Sequence, residues 1–123
     1  MPTSVLVIDD DASFRGLAVR MLEDLGLAVV GEAATVAAAT EAASRLRPQA
    51  ALVDVVLPDG SGIELASELA SLPWRPRIVI TSVQSDAMTA TGVRSAGAAA
   101  FVAKHDLPDS QLGALLTGRA HEE

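Results

Sequence analysis

Two stretches of this chain, Val5-Leu6-Val7-Ile8 and Ile78-Val79-Ile80, are apolar at every position instead of every second one. A strand with one face in water alternates, whereas a strand covered by helices on both faces does not. Short apolar runs fall near Ser4–Asp9, Ala28–Glu32, Ala50–Asp54, Arg77–Ser82 and Ala99–Ala103, separated by longer stretches of helical character. This alternation predicts an α/β fold with a five-stranded parallel sheet, built as a doubly wound (βα)5 unit.

The helices can be placed from spacing and punctuation. Phe14, Leu17, Ala18, Met21, Leu22 and Leu25 recur at three and four residues and form one apolar stripe, on a helix ending at Gly26. Val36–Leu46 reads as a second helix stopped by Pro48, Ile63–Leu72 as a third stopped by Pro73, and Leu107–Leu116 as a fifth. The fourth, Asp86–Ala96, carries Thr89, Thr91, Gly92 and Val93. Each of these disfavours helix by a few tenths to about 1 kcal/mol relative to alanine, so this helix is expected to be the most mobile. The alanine runs 37–39 and 98–100 supply small side chains for close packing of helix on sheet.

With 123 residues the chain is long enough for one domain and too short for two. The expected division is a domain over residues 1–118 and a tail over 119–123. A net charge of −7 argues against holding nucleic acid, which requires Lys and Arg against phosphates. The absence of cysteine excludes disulfides, thiolate nucleophiles and Cys-ligated metals. Met1-Pro2-Thr3-Ser4 does not begin a signal peptide and no run approaches a membrane span, so the expected setting is cytoplasmic.

In a parallel sheet, residues at successive strand C-termini meet along one edge, where α/β proteins bind ligands. Here the first strand delivers Asp9 and Asp10, the third Asp54, the fourth Thr81 and Ser82, and the fifth Lys104. Two carboxylates about 4 Å apart repel by about 4 kcal/mol at an effective dielectric near 20, so the cluster calls for a proton or a cation. Magnesium suits an all-oxygen site that also receives phosphate. Lys104 can pair with phosphoryl oxygens, Thr81 can donate a hydrogen bond, and a carboxylate can serve as nucleophile to form an acyl phosphate.

Those residues sit in a recognisable order: the strand ending Asp9-Asp10, the block Asp54-Val55-Val56-Leu57-Pro58-Asp59-Gly60-Ser61-Gly62, the strand ending Thr81-Ser82, and Gly97 to Lys104. Over essentially its whole length the chain resembles response-regulator receivers of two-component phosphorelays. The resemblance implies a flavodoxin-like strand order 2-1-3-4-5 and Asp54 as phosphoacceptor. Magnesium would be held by Asp10, Asp54 and the Val56 backbone carbonyl, with Asp9 acting through bound water. Lys104 would pair with the phosphoryl group, and Thr81 and Phe101 would move together as the switch. The implied partners are a histidine kinase or phosphotransfer protein as donor, an output domain or downstream protein, and a second copy in a homodimer. Many receivers carry proline after the lysine, where this chain has His105. A cis bond before a non-proline residue costs about 2.5–4 kcal/mol, so Lys104–His105 is expected to be trans. Val56 and Val83, flanking the site, offer no polar group to orient water.

Plainer roles suit the remaining candidates. Asp11 reads as a helix cap, His105 as a loop residue, His121 as part of the tail, and Gly60-Ser61-Gly62 as a mobile turn beside Asp54. Trp74-Arg75-Pro76-Arg77 reads as a surface loop or a small partner-binding patch. One rival function is a phosphatase resembling the haloacid dehalogenases, with Asp9 as nucleophile; it lacks a later acidic motif and leaves Asp54 unexplained. The other is a degenerate receiver used only for interaction, which the complete set of phosphorylation residues disfavours. As a receiver the chain is a switch and not a conventional enzyme. It is either a stand-alone receiver or the receiver part of a transcriptional regulator.

Overall fold

A computed structural model describes residues 2–118, so the expected tail 119–123, with His121, lies outside it. Five strands, β1 (Ser4–Ile8), β2 (Ala28–Ala33), β3 (Ala50–Asp54), β4 (Arg77–Ser82) and β5 (Ala100–Ala103), form one sheet. All pair in parallel, in the order β2-β1-β3-β4-β5. The fold is flavodoxin-like, as the alternating pattern and the resemblance led us to expect.

The helices are α1 (Ala12–Asp24), α2 (Val36–Leu46), α3 (Gly62–Ala70), α4 (Ala90–Ser95) and α5 (Leu112–Thr117). Two cores explain the continuously apolar strands. Val5, Val7, Leu52 and Val79 pack with Ala18 and Leu22 of α1 and with Leu112 and Leu116 of α5. Leu6, Ile8, Val53, Ile78 and Ile80 pack on the other face with Ala39, Ala42 and Ala43 of α2 and Leu65 and Leu69 of α3. Neighbouring strand residues point to opposite faces, so both faces need apolar side chains. Ala39, Ala42 and Ala43 of α2 are buried in this second core and let the helix approach the sheet, whereas Ala37 and Ala38 of the expected alanine run are exposed.

The sequence pattern overstated three helices. Leu17 of α1 and Leu25 just past its end are 52% and 53% exposed, so the buried stripe is narrower than the apolar one. Gly26 does close this helix, at φ 88°. The fourth helix is only six residues long, not Asp86–Ala96; it begins where Thr89 Oγ1 accepts the Gly92 N–H at 3.0 Å. The fifth begins at Leu112 and not at Leu107. Lys104–Asp109 is a 3₁₀ turn containing Pro108, which has no N–H for an α-helical bond, and Gln111 adopts a left-handed φ of 58°.

The segment Gly60-Ser61-Gly62 carries regular structure rather than a bare turn. Val56–Leu57 and Gly60–Ser61 form a short antiparallel hairpin, and Ser61 Oγ caps α3 by accepting the N–H groups of Ile63 at 3.1 Å and Glu64 at 3.3 Å. At Gly62 an added Cβ would lie 1.7 Å from the Asp54 carbonyl oxygen. Only glycine allows the chain to pass this close to the end of β3. Among the described residues no helix is long and apolar enough to cross a membrane.

Candidate functional site

The C-terminal ends of the strands gather the expected groups. Asp9 follows β1, Asp54 ends β3 opposite Thr81 of β4, and Thr81 in turn lies opposite Val102 of β5. Asp9 and Asp54 are buried while Asp10 is exposed, and one carboxylate oxygen of each lies within 4.8 Å of the others. Asp9 Oδ1 accepts the Asp11 N–H at 2.9 Å. Asp9 Oδ2 is 2.7 Å from Lys104 Nζ, an ion-pair contact whose angles fall outside those of a hydrogen bond, and this buried oxygen has no other partner. The same ammonium lies 3.8 Å from Asp54 Oδ2 and 4.1 Å from the centroid of the Phe14 ring.

Charge crowding shows in the titration of Asp54. Burial pushes its carboxyl above the ordinary value, and Asp9 adds to the push; Lys104 and the Val56 N–H pull it back in part, and Asp10 raises it slightly. One ammonium does not neutralise three carboxylates. The donor set is entirely oxygen, and Asp9 Oδ2 is buried without a hydrogen bond. These features fit a hard divalent cation.

Two supports hold the rim in place. Asp11 accepts the Ser13 N–H at 2.9 Å and caps α1, as expected. Arg15 donates from Nη1 to the Asp9 carbonyl at 2.7 Å and from Nε to Glu32 at 3.1 Å, tying the end of β1 to β2. Thr81 is buried, and its Oγ1 donates to the Val102 carbonyl at 2.7 Å.

The model of the response regulator receiver domain matches residues 5–115. The chain belongs to this receiver family. It is 41% identical over 100 residues to the DNA-binding transcriptional activator DevR/DosR of Mycobacterium tuberculosis, covering 80% of this chain and 46% of that one. It is 35% identical over 104 residues to the transcriptional regulatory protein PdtaR of the same organism, covering 85% and 50%. The receiver thus spans about half the length of these curated relatives. A solved LuxR-family two-component response regulator from Aurantimonas sp. SI85-9A1 superposes with a TM-score of 0.85 at 28% identity, over 97% of this chain and 88% of that one.

Of the other expected residues, Val56 touches the cluster through its backbone N–H on Asp54. Phe101 is half-buried against the α2–α3 core and lines a groove of about 370 Å³ with Met88, Thr89 and Val93. Val56 and Val83 are 68% and 74% exposed. His105 is exposed, with Nε2 3.5 Å from Asp106 Oδ1. No cis peptide bond occurs among the described residues, so Lys104–His105 is trans.

Sequence reasoning missed two contributors. Phe14, read only as part of an apolar stripe, places its ring against Lys104. Asp59, read only as part of the Asp54 block, accepts the N–H groups of Val36 at 2.7 Å and Ala37 at 3.1 Å. Those bonds hold its carboxyl below the ordinary value. The first turn of α2 contains no acidic residue, which is the one local hint that an acid from elsewhere serves that helix end.

Proposed function

We propose that this receiver is a magnesium-dependent phosphoacceptor that takes a phosphoryl group from a histidine kinase or phosphotransfer protein onto Asp54. The observation that carries the reading is the meeting of Asp9, Asp10 and Asp54 within 4.8 Å, with Lys104 Nζ between Asp9 and Asp54. An Asp54 carboxylate oxygen forms the bond to phosphorus while the donor's phosphorus–nitrogen bond breaks, its electron pair remaining on the imidazole nitrogen. Asp10, Asp54 and the Val56 carbonyl would hold magnesium directly, and Asp9 through water; bound there, the ion neutralises charge on the phosphoryl oxygens. Lys104 turns from Asp9 towards a phosphoryl oxygen, a short move for its flexible stem. Thr81 exchanges the Val102 carbonyl for another phosphoryl oxygen, and Phe101 follows it. The domain, residues 1–118, acts as a switch in the cytoplasm and not as a conventional enzyme.

The rival use of Asp9 as a phosphatase nucleophile is disfavoured, because one of its oxygens is bonded to Asp11, the other is paired with Lys104, and the side chain is 1% exposed. The names of the relatives support an output in transcription. We assign this receiver to a transcriptional regulator, with the DNA-binding function carried by another domain or by a partner, and with a second copy as a candidate partner in a homodimer. The decisive experiment is incubation with a small phosphoramidate donor in the presence of magnesium, followed by mass mapping. One adduct at Asp54, lost in Asp54→Asn and with chelator, is the expected result; labelling at Asp9 overturns the reading.

A further inference from the structure

The acidic rim has a basic counterpart at the other end of the sheet. A groove of about 570 Å³ lies there, lined by Thr3, Arg47, Gln49, Trp74, Arg77 and Leu116, among others. Thr3 precedes β1, Gln49 precedes β3 and Arg77 opens β4, so the groove runs along the N-terminal edge, remote from Asp54.

Its two arginines are held by the fold. Arg47 ends α2 in a left-handed conformation, φ 48°, and its guanidinium lies 4.5 Å from the centroid of the Trp74 ring. Trp74 is itself fixed, its Nε1–H donating to the Pro48 carbonyl at 2.8 Å. Arg77 donates from Nε to the Leu115 carbonyl at 2.8 Å. Among the described residues neither guanidinium has a carboxylate within ion-pair reach, whereas Arg15 is paired with Glu32 and Arg45 with Glu41. Arg20, Arg75 and Arg94 likewise have no carboxylate in reach among the described residues, so what sets Arg47 and Arg77 apart is their anchoring, on the Trp74 ring and on the Leu115 carbonyl. Two anchored guanidinium groups beside a half-buried indole ring make a surface that matches carboxylates flanked by apolar groups.

We propose that this groove is a docking site for an acidic polypeptide segment, whose carboxylates pair with Arg47 and Arg77 while its apolar side chains lie along Trp74. Charge complementarity selects the occupant's sign. The net charge of −7 repels a nucleic acid, whose charge is continuous, far more than a short peptide.

Trp74 is the sole tryptophan, so its fluorescence reports on this groove directly. The receiver is titrated with a peptide of alternating glutamate and leucine, with the matching lysine and leucine peptide, with inorganic phosphate and with a short DNA duplex. A saturable change in Trp74 emission with the acidic peptide alone is expected, weakening by about tenfold in Arg77→Gln and at high salt. Arg20→Gln, which alters an exposed arginine away from the groove, should bind as the unmodified chain does. Urea unfolding of Arg77→Gln separates lost binding from lost folding: if that variant is destabilised, the Arg47→Lys variant must show the same weakening. Asp54→Asn should bind the peptide normally, which keeps this test independent of phosphorylation. Absence of any response, a response indifferent to both arginines, or an equal response to phosphate or DNA overturns the proposal.

Discussion

The Thr81 hydroxyl donates to the Val102 carbonyl at 2.7 Å, across strands whose register sets the two residues side by side. On its other side Thr81 is in register with Asp54. A hydroxyl has one proton, so it serves either β5 or a phosphoryl oxygen on Asp54. Thr81→Val should leave the Val102 carbonyl without its donor and cost about 1–3 kcal/mol in urea unfolding. It should still be phosphorylated. The change in amide exchange across residues 86–101 on adding beryllofluoride and magnesium should shrink; an undiminished change would sink the coupling.

Asp54→Asn tests the electrostatics of the site. Because burial and Asp9 raise the Asp54 pKa above 3.8, its contribution to stability is present below 3.8 and is lost as pH rises through the higher folded value. Ionised Asp54 therefore weakens the fold at neutral pH. The asparagine variant should melt higher at pH 7 and show a shallower loss of stability as pH rises above 3.8. Magnesium should raise the melting temperature of the unmodified chain, and chelator should reverse it.

Asp59 and Thr35 both serve the start of α2, but only Asp59 belongs to the loop that follows Asp54. Thr35 Oγ1 accepts the Ala38 N–H at 3.0 Å, so Thr35→Ala should cost about 0.5–2 kcal/mol and leave phosphorylation unchanged. Asp59→Ala should lower the melting temperature and also slow phosphorylation by a small-molecule donor, because it releases the hairpin from α2. Since the Asp59 pKa is lowered, its contribution is present above 3.8 and should fade as pH falls below it. Equal phosphorylation rates in the two variants would confine Asp59 to holding the helix.

Gly62→Ala places a methyl group against the Asp54 carbonyl, where the distance is 1.7 Å. The obstacle is backbone and cannot rotate away. The variant should lose about 3 kcal/mol or more, at the upper end of overpacking costs, and lose magnesium binding with it. Gly16→Ala, at a half-buried position of α1, meets nothing closer than Arg20 at 4.0 Å and should be neutral or stabilising.

The sheet and the acidic rim were legible in the sequence for one reason: doubly covered strands must be apolar throughout, and parallel strands carry whatever follows them to one edge. Val5 to Ile8 followed by Asp9 and Asp10 states both facts within six residues. The limits of α4 and α5 were less legible. Asp86 to Met88 and Lys104 to Asp109 have compositions compatible with helix, but turn bonds and Pro108 take precedence. Contacts between distant segments were the hardest to read. Nothing local to Asp59 says that its carboxylate reaches Val36, 23 residues earlier, and nothing near Phe14 says that Lys104 will lie against its ring.

The six-residue helix α4 buries none of its own residues. It is far below the roughly 12–15 residues at which an isolated helix becomes even marginally stable, so its order is borrowed from what it touches. Substitutions along its outer surface remove nothing from either core and leave Asp9, Asp54 and Lys104 where they are. This face can therefore diverge quickly between duplicated copies of such a domain. Two descendants could come to address different listeners while running the same chemistry, which makes α4 a natural place for paralogous pathways to become insulated from one another.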